Sequence, residues 1–264
     1  MVCVTKPPSS STWPGGLSRA ARSVWAKHDR RADGWLPLWR HMADSGAVAG
    51  RLWDHWLPEQ VRHHIADTLP GGIDSARTLT VFLACTHDIG KATPAFACQV
   101  EELADGMRRQ GLEVPLEKQI RQDRKLAPHG LAGQLLIQEW LMEQHGRNKR
   151  ATLPFTIVAG GHHGVPPESG DAQALGDHPH MLRTRGNETA WREVQDELLH
   201  HATNATGAGE HLAEWSGVKL PQTAQVLLTA VVIVAGNLVG LATRNYPAEA
   251  LQPKGPRPPP QLPA

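Results

Sequence analysis

Cysteine is scarce. Only Cys3, Cys85 and Cys98 occur, without Cys-x-x-Cys spacing, which excludes a disulfide framework and a zinc knuckle and makes a reducing cytoplasm the expected compartment. Aromatic residues other than tryptophan are almost missing, with one Tyr and three Phe against nine Trp. Trp39, Trp53, Trp56 and Trp140 fall in helical patterns, so they read as core rather than as platforms for stacked bases. Neither sign of charge dominates, since 27 Lys and Arg against 26 Asp and Glu leave +1. The balance argues against a strongly basic nucleic-acid binder, although Lys118, Arg121, Arg124 and Lys125 lead directly into His129, and two readings of that cluster stand side by side: a segment that steers a phosphate backbone towards His129 and a solvated loop with ordinary charges. Arg147, Lys149 and Arg150 follow a helix end, where cations are favoured anyway. Met1 to Ser11 lacks a basic segment followed by an apolar one, so no signal peptide is expected. Strand-like alternation is nearly absent, and the expected class is all-α.

Apolar periodicity and Pro, Gly or Asp boundaries predict helices over Leu17–Lys27, Leu38–Leu57, Glu59–Leu69, Ser75–Thr86 and Pro94–Arg109. Further ones are predicted over Leu131–His145, Leu153–Gly161, Glu188–Ala202 and Gln222–Val234. Gly111–Ala127 reads as a polar connection and Val165–Gly186 as a long loop, on which His178 and His180 are expected to be surface residues. Gln225–Thr243 is almost free of charge over a membrane's thickness, but Asn237 and two glycines interrupt it, and a buried helix is expected with no membrane partner. The expected organisation is a flexible segment over 1–16, one domain over 17–243 and a proline-rich, solvated tail over 244–264.

The apolar run Thr78–Cys85 ends in Thr86-His87-Asp88-Ile89-Gly90-Lys91. Adjacent His and Asp offer one borderline nitrogen and one hard oxygen, a pairing that suits a hydrolytic Mn, Fe, Co, Ni or Zn ion. Gly90 is expected to permit a sharp turn, and Lys91 to place a cation near a metal-bound anion. His41 shares a 3.6-residue period with Leu38, Ser45, Val48 and Leu52 and so lies on a buried face. His129 follows Pro128 at a helix start, and the doublet His162-His163 closes another apolar stretch. Separate helices of a bundle can bring such residues to one place.

Together His41, His87-Asp88-x-x-Lys91, His129 and Gly161-His162-His163-Gly164 resemble the HD nuclease domain of the CRISPR-associated type I interference nuclease-helicase. Leu17–Lys27 and Gly34–His41 share the resemblance, which extends from about Leu17 to Ala235. It implies an HD-domain helical bundle with two divalent transition metals (Mn, Fe, Co or Ni) and single-stranded DNA as substrate. His41 and His87 would serve one metal, His129, His162 and His163 the other, with Asp88 bridging and Lys91 beside the scissile phosphate. The family closes the first metal's shell with an Asp on a late helix, where this chain reads Ala235-Gly236-Asn237-Leu238. Gly236 brings no donor and Asn237 only a neutral amide, so weaker binding of that metal, or none, is expected. The family normally continues into a helicase, and this chain has no G-x-x-x-x-G-K-[ST] loop. A separate or missing motor and the RNA-guided surveillance complex are therefore the implied partners. Two alternatives stand beside the nuclease: an HD phosphohydrolase acting on nucleotides, and an inactive HD-fold remnant or binding module.

Overall fold

The computed structural model describes residues 15–29, 34–243 and 252–253. It begins with α1 (Arg19–Ser23), β1 (Trp25–Asp29), β2 (Gly34–Pro37), α2 (Leu38–His55), α3 (Glu59–Ala66) and α4 (Gly72–Thr86). A 3-10 turn at Ile89–Lys91 leads to α5 (Pro94–Ala97), α6 (Glu101–Arg108), α7 (Glu117–Ile120), α8 (His129–His145) and α9 (Lys149–Gly160). Then follow α10 (Ser169–Gly176), α11 (Glu188–Thr206), α12 (Leu212–Trp215), α13 (Gln222–Thr243) and the two-residue β3 (Gln252–Pro253).

Helices carry the fold, as the periodicity indicates. Leu38, Met42, Ala49 and Trp53 form the buried stripe of α2, and Leu79, Leu83 and Phe82 that of α4; each Leu, Met or Phe among them contributes about 1.5–3 kcal/mol on full burial. Gly46 and Gly50 let the two helices approach, since Cβ atoms there would meet Val81, Cys85 and the Arg77 guanidinium at 3.3–3.6 Å. Cys85 is a core residue whose burial pushes its thiol up to about 12. Helix α13 lies against α2, α4 and α9.

The expectations fail at several places. Leu17–Lys27 is not one helix. The Ser18 hydroxyl caps α1, which stops after Ser23, and β1 (Trp25–Asp29) pairs antiparallel with β2 (Gly34–Pro37), with β3 added on the far side of β2. Ladder bonds to a strand several residues away leave little trace in local periodicity, more so because a bulge between Trp25 and Lys27 breaks the alternation. Pro94–Arg109 is split into α5 and α6 around Gln99, and the supposed loop Val165–Gly186 contains α10. Trp56 is 62% exposed instead of buried, because it lies just past the last turn of α2. Arg147 is buried and donates to the Leu212 carbonyl, so it belongs to no free basic patch. Helix α13 continues past Val234 and is apolar on both sides: Leu228, Val231, Val232 and Ala235 are buried, while Val226, Leu238 and Leu241 are exposed. By length and composition Gln222–Leu241 is apolar enough to cross a membrane, yet one side of it forms the core. The segment 1–16 lies outside the described residues up to position 14, as does the proline-rich tail apart from β3.

Candidate metal centre

Four helices and one turn converge on Asp88. His41 projects from the second turn of α2, where its apolar neighbours bury it to 1% exposure. His87 ends α4, and its Nδ1–H donates to the Ala84 carbonyl at 2.7 Å. A carbonyl can only accept, so Nδ1 holds the proton and Nε2 presents its lone pair to the interior. His162 repeats the device just beyond α9, with Nδ1–H donating to the Ala159 carbonyl. His129 opens α8 after Pro128.

Glycines make the convergence possible. A Cβ on Gly90 would fall 1.9 Å from the His129 carbonyl oxygen and 2.4 Å from the Gly133 nitrogen. Gly90 is absent from the positive-φ glycines, so its role is close backbone approach and not the sharp turn expected from sequence. At the crossing of α8 and α9, a Cβ on Gly130 would meet the Gly160 carbonyl at 3.0 Å and one on Gly160 the Gln134 amide oxygen at 2.1 Å. These contacts bring His129 alongside His162 and His163.

Asp88 faces two ways. Its Oδ2 lies 2.6 Å from His41 Nε2, 2.7 Å from Lys91 Nζ and 3.5 Å from His87 Nε2. Its Oδ1 lies 3.2 Å from His129 Nε2 and 3.3 Å from His162 Nε2, and His129 and His163 approach Nε2 to Nε2 at 2.8 Å. Burial alone would raise the Asp88 carboxyl, but Lys91 and the surrounding histidines overcome that and hold it well below its ordinary value. Burial lowers His87 to about 3 and, with help from His162 and His129, His163 to about 4. It lowers His41 as well. The carboxylate is thus ionised and these imidazoles are neutral at pH 7, the states that a metal requires.

The donor set fits divalent ions. Asp88 Oδ1 and His162 Nε2 are buried, carry lone pairs, face each other and have no hydrogen-bond partner. Two acceptors at that distance repel unless a cation stands between them. His129, His162 and His163 form one group able to hold an ion, and His41, His87 and Asp88 another. The halves differ: Oδ2 already accepts from Lys91 and contacts His41, whereas Oδ1 is uncommitted. The half around His87 also borders Gly236, whose Cβ, if present, would stand 3.0 Å from His87 Nε2.

The cluster floors a cleft of about 1290 Å³. His41, His87 and His162 are buried, while His129 is 23% exposed and His163 opens to solvent. Lys27, His28, Asp29, Phe96 and Gln99 also border it, and none of these stands out in the sequence, where Lys27 is only the end of an expected helix. Asn237 reaches the cleft from the exposed side of α13. His178 and His180 lie elsewhere, bonded to the Ala174 carbonyl and placed 3.4 Å from Asp123 respectively.

With this geometry in view, the sequence matches the family described as Cas3, HD domain, over residues 25–236. The chain belongs to that family. The match ends at Gly236, the residue that faces His87. Among curated proteins it is 28% identical over 219 residues to the CRISPR-associated nuclease/helicase Cas3 of Streptococcus thermophilus, covering 76% of this chain and 22% of that protein. It is 27% identical over 206 residues to the CRISPR-associated endonuclease/helicase Cas3 of Thermus thermophilus, covering 78% of this chain and 21% of that one. The chain thus spans about a fifth of the length of these relatives. Among solved structures, T. fusca Cas3 with ATP matches with a TM-score of 0.62 at 24% identity, over 84% of this chain and 23% of that one. The HD domain of Thermus thermophilus Cas3 in the presence of Ni2+ matches with a TM-score of 0.55 at 23% identity, over 84% and 77%. At these identities the structural likeness establishes the HD-domain fold.

Proposed function

We propose that this Cas3-type HD domain is a metal-dependent nuclease that hydrolyses phosphodiester bonds of single-stranded DNA in CRISPR interference. The observation that carries the reading is the pair of donor groups meeting at one ionised carboxylate on the floor of an open cleft. His41, His87 and Asp88 would hold one divalent ion of Mn, Fe, Co or Ni type, and Asp88, His129, His162 and His163 a second. Bound there, such ions supply Lewis acidity to phosphodiester oxygens and a nucleophile at neutral pH.

The chain's own residues account for the rest. Asp88 turns one oxygen to each donor group and so fixes their spacing. The carbonyls of Ala84 and Ala159 lock His87 and His162 in the tautomer that offers Nε2. Lys91 is buried, held by Asp88 at 2.7 Å and placed over the Phe96 ring, and it offers positive charge to the phosphate as negative charge grows on it. Trp25 and Phe96 pack together beside His129; Trp25 is buried and serves the wall rather than base stacking. Chemistry directed at phosphate leaves base sequence unread. Single strands would come from a helicase motor, delivered by an RNA-guided surveillance complex in the cytoplasm.

Gly236 favours a second reading, an intact scaffold in which the His87 half is underfilled and cutting is weak or lost. Incubation of circular single-stranded DNA with the purified chain and Mn, Co or Ni, beside a His87→Ala control, separates the two. Metal-dependent cutting that disappears in the control supports the nuclease. Absence of cutting that is restored by Gly236→Asp identifies the underfilled scaffold, and hydrolysis of mononucleotides with DNA untouched would sink both.

A further inference from the structure

We infer that Lys27 is a positioning residue for the nucleic-acid strand, holding the phosphate next to the one that reaches the Asp88 cluster. The inference rests on the phosphodiester reading of that cluster. Lys27 follows the irregularity in β1 where the ladder with β2 shifts register between Trp25 and Lys27. A bulge adds a residue to one strand and re-aims the side chains beside it. Here Lys27, His28 and Asp29 border the same cleft as Asp88 and the five histidines.

Helix α13 sets the distance. The Lys27 ammonium reaches it at Gly240, where an added Cβ would lie 3.0 Å from Nζ, and an added Cβ on Gly236 would lie 3.0 Å from His87 Nε2. Residues four apart share a helix face and are separated by about one turn, roughly 5.4 Å. Lys27 therefore stands about one turn of α13 away from the Asp88 cluster, and the two glycines leave bare backbone where side chains would narrow the cleft. A polynucleotide carries a charge at every step and can engage Lys91 and Lys27 together. A lone phosphodiester engages only the first.

The test compares the Mn-loaded wild type with Lys27→Ala and Lys27→Arg on single-stranded oligothymidylate and on bis(p-nitrophenyl) phosphate. Lys27→Ala is expected to raise KM for the oligonucleotide about five- to tenfold, the size of one lost charge-assisted contact, with kcat and turnover of the small diester unchanged. Lys27→Arg is expected to restore KM. Independently of cutting, fluorescence anisotropy with EDTA present reads oligothymidylate affinity against salt, and Lys27→Ala should flatten the log–log slope by about 0.7, the value for one phosphate on a single strand. Equal KM and equal slope in wild type and Lys27→Ala overturn the inference. A parallel loss on both substrates together with a lower melting temperature overturns it as well, since Lys27 would then be a strut between β1 and α13. A Lys27-dependent slope in a protein that hydrolyses neither substrate would support strand positioning while removing the nuclease reading.

Discussion

Gly236 of α13 stands directly against His87: a Cβ on it would be 3.0 Å from the His87 Nε2 that presents its lone pair to the interior. A carboxylate introduced at this place enters the less complete half of the centre, where Asp88 Oδ2 is shared with His41 and Lys91. Gly236→Asp is therefore expected to raise the metal content of the purified chain, by up to one ion per chain. Without metal the new carboxylate lies near Asp88, and like charges at close range disfavour the fold. The variant should melt lower than wild type with chelator and regain or exceed wild-type stability with Mn. Unchanged metal content by elemental analysis would show that the His87 half needs no further donor.

Much of the centre was legible because its chemistry is written in short motifs. The helical phase of Leu38, His41, Ser45 and Leu52 placed His41 inside, and its exposure is 1%. His87-Asp88 and His162-His163 each end an apolar helix, and the structure brings them together with His129 and Lys91. What stayed hidden depends on contacts distant in sequence. Trp25–Asp29 becomes a strand only because Gly34–Pro37 pairs with it. The need for glycine at position 90 comes from α8, about forty residues later, and so a local reading assigned it to a turn. Position 236 stands out in the sequence through the family resemblance alone, and its place directly against His87 comes from the packing of α13 on α4.

Gly90 itself carries the second prediction. Its backbone is pressed against the first turn of α8, and the β-carbon of alanine would fall 1.9 Å from the His129 carbonyl oxygen. Neither partner is a flexible side chain that can swing away. Overpacking of ordinary core sites costs about 1–3 kcal/mol, and Gly90→Ala should reach the top of that range or exceed it. Because α8 must retreat, His129 leaves Asp88, and metal content should fall along with the urea midpoint. A variant with wild-type metal content and midpoint would refute the close approach.

Lys91 tests the electrostatic part of the mechanism. It is 8% exposed and donates to Asp88 Oδ2 at 2.7 Å. Lys91→Met keeps the bulk but leaves the buried carboxylate with His41 as its nearest remaining partner on Oδ2. Removing one member of a buried charge pair typically costs about 3–5 kcal/mol, and the metal-free variant should lose stability on that scale. With Mn bound, most of the loss should be recovered, while turnover of single-stranded DNA drops about a hundredfold for want of charge at the phosphate. Retained turnover in a fully loaded variant would assign Lys91 a purely structural role.

Acid should unfold the metal-free chain early, and the sign follows from the histidines. An exposed imidazole titrates near 6.5, whereas burial lowers His87 to about 3, and burial with the nearby His162 and His129 lowers His163 to about 4. Below pH 6.5 the unfolded chain takes up protons that the native centre refuses, so stability is fully present above that pH and is lost as the pH falls through 4 towards 3. Asp88, also held below its ordinary value, adds to the loss at the acid end. With chelator present, the urea midpoint should be flat from about pH 8 to 6.5 and should then decline. His87→Phe, which cannot take up the proton in either state, should decline less steeply. A wild-type midpoint independent of pH between 6.5 and 4 would mean that the unoccupied centre already accepts those protons, and that the burial of His87 is less complete than its 3% exposure implies.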